Sequence, residues 1–150
     1  MKKRTLRLGL AIVLIGLLVV SIVVIYMFNK PHLDVASLKP DFSLSAAQLY
    51  KEFKTDENNA NKKYLGGANG KIVQVSGVIS DIITGEHGLI TFTVKDESIG
   101  EGGVSCSIDS TNLNKAGKVK IGDTVVIKGQ CTGYIELTNE VDLNKCFIIE

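Results

Sequence analysis

Lys71-Ile72-Val73-Gln74-Val75-Ser76-Gly77-Val78-Ile79-Ser80-Asp81-Ile82 is the stretch on which the fold of this chain turns. Val73, Val75, Gly77 and Ile79 share one face at a period of two, the pattern of a strand with one buried side. Gly77 leaves that face without a side chain, where a strand entering a closed barrel must bend sharply. The same period continues downstream. After a turn at Thr84–Gly88, Ile90, Phe92 and Val94 alternate with Leu89, Thr91 and Thr93. A third strand, Val104 to Asp109, presents Val104, Cys106 and Ile108. Ser110 to Lys120 is polar and reads as a loop or a brief helix. Gly122-Asp123 then turns the chain into a fourth strand, Thr124 to Tyr134, with Val125, Ile127, Gly129 and Cys131 inward, and a fifth runs from about Glu140 to Ile149.

Five strands, the first long and bent at a glycine, suit a small closed β-barrel of the OB type, because closure removes edges that an open sheet has to defend. The gap between the third and fourth strands falls where such a barrel carries its connecting helix. An open sandwich is the competing architecture.

Upstream, the period changes. Ser45-Ala46-Ala47-Gln48 has the form of a capping box, and Ala46, Leu49 and Phe53 follow on one helical face. Asp56 caps a second piece, Glu57 to Tyr64, with Ala60 and Tyr64 on one side and Gly66-Gly67 at its end. Helices this short are not stable alone, so residues 45–70 are expected to pack on the barrel of residues 71–150. Residues 29–44, which include Pro31 and Pro40 and lack periodicity, read as a stalk.

The first residues are of a different kind. Lys2, Lys3, Arg4 and Arg7 form a basic tail over 1–7, and residues 8–28 carry no charge. As a helix, that run reaches about 30 Å, the thickness of a bilayer's hydrocarbon core. It ends in Tyr26-Met27-Phe28, where a signal peptidase would need small residues. The sequence therefore predicts a retained single-pass helix with the basic tail in the cytoplasm and the rest outside the inner membrane. Past residue 7 the chain has 13 lysines and no arginine against 16 acids, a net of −3. Arginine is the preferred residue for bidentate phosphate and base contacts, so this charge pattern argues against nucleic acid.

Phe42–Leu49, Glu57–Gly66, Val75-Ser76-Gly77, Val104-Ser105-Cys106, Ile127–Tyr134 and Val141–Cys146 together resemble the tRNA_anti-like family of bacterial OB-fold proteins. The resemblance covers roughly residues 31–148. It implies the fold and a distant similarity to the anticodon-binding OB domains of tRNA synthetases. It brings no catalytic residues, and its members often stand behind a membrane anchor.

An OB barrel used for ligands usually displays its second and third strands. Here that surface offers Thr91, Thr93, Lys95, Ser105 and Ser107, with the glycine-rich loop around Gly100–Gly103 beside it; Tyr134 is a further exposed-aromatic candidate, although its place near the end of the fourth strand equally suits a barrel-closing contact. It is hydroxyl-rich and has no aromatic platform on which bases could stack. Cys131 and Cys146 lie equidistant from a hairpin centred on Thr138-Asn139 and are candidates for a disulfide. Parity opposes them unless a bulge falls near Asn144-Lys145, and three buried thiols are the other reading. Asp96, Glu97 and Glu101 lack calcium-loop spacing, His32 and His87 have no placed nucleophile, and Gly66–Gly70 lacks a phosphate-loop ending. No catalytic residue, metal or cofactor is predicted. The expected function is a membrane-anchored interaction or envelope-accessory module with an envelope protein as partner. A sugar- or peptide-like small ligand is the alternative, and single-stranded nucleic acid is a remoter one.

Overall fold

The computed structural model describes residues 15–25, 34–67 and 70–149, and the chain divides into two units, 1–33 and 34–150. In the first unit residues 15–25 are helical. The remainder of the apolar run and the basic tail lie outside the described residues. Among the described residues no helix is long and apolar enough to cross a membrane.

The second unit is a five-stranded closed barrel of the OB fold with additions at its N-terminal side. Its elements are β1 (Phe42–Ser45), α1 (Ala46–Thr55), α2 (Glu57–Tyr64), β2 (Ile72–Thr84), β3 (Ile90–Lys95), β4 (Gly103–Ile108), α3 (Leu113–Ala116), β5 (Thr124–Ile135) and β6 (Glu140–Ile148). The strand order β1-β2-β3-β4-β6-β5 closes through a β2–β5 pairing. β2 makes closure possible by serving two partners in turn. Ile72 to Val78 pair with β5, and Val78 to Thr84 pair with β3. The changeover falls beside Gly77, where the sequence placed the bend. A Cβ there would lie 2.5 Å from the Lys95 carbonyl oxygen and 2.7 Å from Val94 Cγ1, so only glycine fits.

The predicted inward residues form the core. Val73, Val75, Ile79, Phe92, Val94, Val104, Cys106, Ile127, Cys131 and Leu143 are all buried. Ser45 caps α1 through the full capping box, and the Asp56 side chain accepts from Asn59 N to cap α2. The connection between β4 and β5 is a 3₁₀ turn, Ser110–Asn112, followed by the single turn of α3. α1 and α2 bury Ala46, Leu49, Phe53, Ala60 and Tyr64 against the barrel.

The stalk reading fails from residue 34 onward. Val35 is fully buried, and the buried Lys128 ammonium donates to the Ala36 and Leu38 carbonyls at 2.8 and 2.7 Å. Phe42–Ser45 is a strand, parallel to the first half of β2. Its physical reason lies in the bend. Once β2 turns away to pair with β3, its first half keeps one open edge, and β1 covers it. Asp41 secures the entry, its carboxylate accepting from Ile72 N at 2.9 Å.

Candidate ligand-contact face

The outer face of the sheet is assembled by register. In one row Ile83 faces Thr91 and Thr91 faces Ser107, while Asn144 faces Gln130 on the far strands. In the next row Asp81, Thr93, Ser105 and Asp142 stand in register across β2, β3, β4 and β6. A third row carries Val78, Lys95, Gly103, Glu140 and Ile135; Gly103 has a Cβ position 3.1 Å from Lys95 Cγ. The predicted quartet of hydroxyls is therefore real as a cross-strand array: Thr91 opposes Ser107, and Thr93 opposes Ser105.

Two carboxylates stand in that array that the β3 and β4 sequences alone could not show. Thr93, only 7% exposed, donates through Oγ1 to Glu140 Oε1 at 3.1 Å. Thr132 Oγ1 donates to Asp142 Oδ2. Both acids arrive on β6, which lies parallel to β4. This pairing is non-local, and nothing in the spacing of β6 announces it.

Tyr134 does not belong to this face. Its hydroxyl donates to Asn139 Oδ1 at 2.6 Å and accepts from Lys54 Nζ at 3.2 Å, while its ring stacks on Phe53 at 6.5 Å. The aromatic read as a ligand contact is instead half-buried against α1, because β5 ends where α1 crosses. Tyr50 joins the same cluster, with Asn139 Oδ1 at 2.8 Å and the Glu101 carbonyl oxygen at 3.0 Å from its hydroxyl. Asn139 sits at φ +59° and Gly102 at φ +94°, with the Gly102 Cβ position against the Asn139 carbonyl oxygen. The glycine-rich β3–β4 loop is thus tied to the β5–β6 turn and to α1. A groove of about 550 Å³ beside it is lined by Gln48, Tyr50, Lys51, Lys54, Asp96 and Ser98. Its charge is mixed, and Asp96 is already engaged with Ser98. Among the described residues no group of His, Cys, Asp and Glu could hold a metal ion.

The profile of the tRNA_anti-like family matches residues 1–147. The chain belongs to the tRNA_anti-like family. Among solved structures it is similar to a "putative nucleic acid-binding lipoprotein" of Klebsiella pneumoniae subsp. pneumoniae, at 26% identity and a TM-score of 0.57, with 81% of this chain and 100% of that one covered. An asparaginyl-tRNA synthetase of Entamoeba histolytica aligns at 19% identity and a TM-score of 0.42, over 57% of this chain and 22% of that one. The S. pombe Stn1-ten1 complex aligns at 21% identity and a TM-score of 0.40, over 53% of this chain and 58% of that one. The comparison with curated proteins gave no match.

The three thiols of this tRNA_anti-like domain are free and buried. Cys131 faces Leu143 across the β5–β6 ladder, so of the two readings of the cysteines the structure has the free buried thiols and not the candidate disulfide with Cys146. The bulge that the pairing required is present, with Lys145 at φ +50° and a register shift opposite it. It turns Cys146 inward, but onto β4, in register with Ile108, where its thiol donates to the Leu143 carbonyl oxygen at 3.3 Å. Cys146 also packs over Gly129, where a Cβ would lie 2.5 Å from its sulfur.

Burial pushes the Cys131 thiol up to about 11 and raises Cys146 well above its ordinary range, Cys106 adding to the latter. Only the thiolate is nucleophilic. The folded domain is therefore expected to resist a thiol-specific disulfide reagent at pH 8 and to react fully once denatured. The sign of the pH effect follows. A folded pKa above the unfolded one contributes stability that is complete below about 9 and is lost as pH rises towards 11. Urea midpoints across that range check it, and replacing Cys131 with serine should flatten the slope.

Proposed function

We propose that this tRNA_anti-like domain is a non-catalytic interaction module of the bacterial envelope, anchored at the inner membrane by the apolar run of residues 8–28 and contacting an envelope protein through the β3–β4–β6 face. The observation that carries this reading is the cross-strand array of hydroxyls, amides and carboxylates, which offers a partner many hydrogen-bonding groups. The similar lipoprotein supports the placement in the envelope. Its name also favours a second reading, single-stranded nucleic acid. Against that stand Glu140 and Asp142 in the middle of the face and the lack of arginine beyond residue 7. Backbone phosphates are drawn to cationic grooves, and bases to aromatic platforms.

The test is recovery of the full-length protein from mildly solubilised native membranes, followed by mass spectrometry of what accompanies it. A protein partner is expected with the native chain and absent with Thr91→Arg/Ser107→Arg, two half-exposed positions whose replacement leaves the core intact. A bound glycan without a protein partner would move the assignment to the small-ligand alternative. Retention of a single-stranded oligonucleotide by the native chain at physiological salt would move it to nucleic acid.

A further inference from the structure

We propose that the end of the barrel where β5 begins rests on the membrane surface, with three loop lysines against anionic lipid headgroups and exposed aliphatic side chains at the acyl boundary. This contact is separate from the partner face and rests on the anchoring by residues 8–28. The loop that leads into β5, residues 110–121, carries Lys115, Lys118 and Lys120 and no acid. All three lysines are exposed, and among the described residues none of their ammonium groups is in an ion pair. The neighbouring acids turn back onto the loop's own backbone. Asp109 accepts from Thr111 N at 2.9 Å, and Asp123 accepts from Lys120 N at 2.9 Å. The lysines stand on a fixed shape, because Ala116 is buried and Gly117 N, Lys118 N and Val119 N donate to the Leu113, Lys115 and Ala116 carbonyls.

Aliphatic surface converges on the same place. Ile121, 62% exposed, is held beside β2 by the bonds from Gly122 N to the Ile79 carbonyl and from Ile79 N to the Asp123 carbonyl. Val78 pairs with Thr124, Ile149 N donates to the Val126 carbonyl, and the Leu38 carbonyl accepts from Lys128. Val78, Ile149 and Leu38 are exposed as well, so aliphatic side chains surround residues 124–128 of β5. Lys39 and Asp34, near Leu38, are both exposed and cancel in charge. Lysines beside exposed aliphatic groups suit the boundary between headgroups and acyl chains, where anionic lipid attracts the first and hydrocarbon takes the second. The other end of β5 lacks that combination. Leu137 is 96% exposed there, but it lies between Glu136 and Glu140, which an anionic surface repels.

The chain's own connection supplies the reach. Only residues 29–33 lie between the apolar run and Asp34, roughly 20 Å when fully extended. The entry segment at residues 36–38 is tied to Lys128, roughly 13 Å along β5 from Thr124. A bilayer that holds residues 8–28 is therefore within range of this end of the barrel. A phosphate polymer would find the charge but no aromatic platform, and it would leave the aliphatic side chains in water.

The test uses the full-length protein reconstituted into vesicles of phosphatidylglycerol and phosphatidylcholine in equal parts. The native thiols are buried, so a nitrobenzoxadiazole probe can be placed on a single introduced cysteine. One site is Gly117→Cys, where a Cβ makes ordinary contact with the Leu113 carbonyl oxygen; the other is Leu137→Cys. Lipid nitroxides at the headgroup boundary are expected to quench the Gly117 probe several-fold more than the Leu137 probe. Quenching should weaken on pure phosphatidylcholine and between about 0.05 M and about 0.5 M salt. It should be lost in Lys115→Glu/Lys118→Glu/Lys120→Glu with an unchanged melting curve, and Ile121→Ser should lower it by a smaller factor. Equal quenching at the two probes, or native quenching in the charge-reversed variant, overturns the proposal. So does its loss to a single-stranded oligonucleotide at matched phosphate, which would assign the loop to phosphate polymers. Flotation separates this contact from the anchor. Protein that stays on vesicles through alkaline carbonate with an unquenched Gly117 probe leaves the anchor standing and ends the inference. Binding that needs anionic lipid and is released by salt keeps the surface contact and removes the anchor, and failure to float at all removes both.

Discussion

Gly77→Val is expected to cost the domain about 3 kcal/mol or more, because the side chain has nowhere to go. A Cβ at Gly77 meets the Lys95 carbonyl oxygen at 2.5 Å, Val94 Cγ1 at 2.7 Å and Ala46 Cβ at 3.3 Å. The first of these is backbone in the β2–β3 ladder, so relief requires the strand pair to separate. That pair meets at the changeover on which barrel closure depends, since Val78 pairs with both Thr124 of β5 and Lys95 of β3. Alanine already supplies the clashing atom, and valine adds two more. Against a total stability of about 5–15 kcal/mol, this is a large share. A fall in the melting temperature of roughly 10–15 °C is the measurable form for a domain of this size. Gly100→Ala is the control, with no atom within 4 Å of its Cβ position, and it should melt within about a degree of the native chain. A Gly77→Ala protein as stable as that control would remove glycine from the explanation of closure.

That glycine was legible because its reason is local: a period-two strand with a gap in its buried face. The same holds for the five barrel strands and for the two helix caps, each fixed by residues within a few positions of one another. The parts that the sequence left open depend on neighbours far along the chain. β1 carries no strand signal of its own, since Phe42–Ser45 has only four residues and forms because β2 leaves an edge uncovered. Lys128 alternates like a surface lysine, yet is buried under residues 36–38. At the site, the hydroxyls of Thr91, Thr93, Ser105 and Ser107 were readable from adjacent strands joined by one loop. Glu140 and Asp142 were not, because β6 reaches β4 in parallel from across the barrel. For Tyr134 the sequence leaves an exposed contact and a barrel-closing one equally open, for a related reason. Its strand position was right, but α1, some eighty residues earlier, occupies the space beside it. The cysteines combine both lessons: the bulge at Lys145 was foreseeable as a condition, while the choice of Cys106 over Cys131 as neighbour is set by the β4–β6 pairing.

Tyr64→Ala should lower stability by about 3–5 kcal/mol, the range for removing a large side chain from a packed core. Tyr64 is fully buried, with its ring 5.0 Å from Phe42 in an edge contact and 5.7 Å from Phe53 in a stacked one. It therefore joins β1, α1 and α2 in one place. Its hydroxyl donates to Glu52 Oε2 at 2.9 Å, the same oxygen that takes the Lys63 ammonium at 2.8 Å. Tyr64→Phe separates the two contributions. It keeps the ring and loses the hydrogen bond, and it should cost only about 1–2 kcal/mol. The cooperativity of the melt is the sharper readout. Helices of ten and eight residues have no stability of their own. If they are part of one core with the barrel, Tyr64→Ala must shift a single transition, and far-UV and barrel signals must fall together. A separate early loss of helix, with the barrel melting at its native temperature, would instead make residues 46–64 an appendage. The first outcome follows from the packing, because Leu49, Phe53 and Tyr64 belong to the same buried cluster as Val75, Phe92 and Val141, and removing the largest of them opens that cluster from both sides.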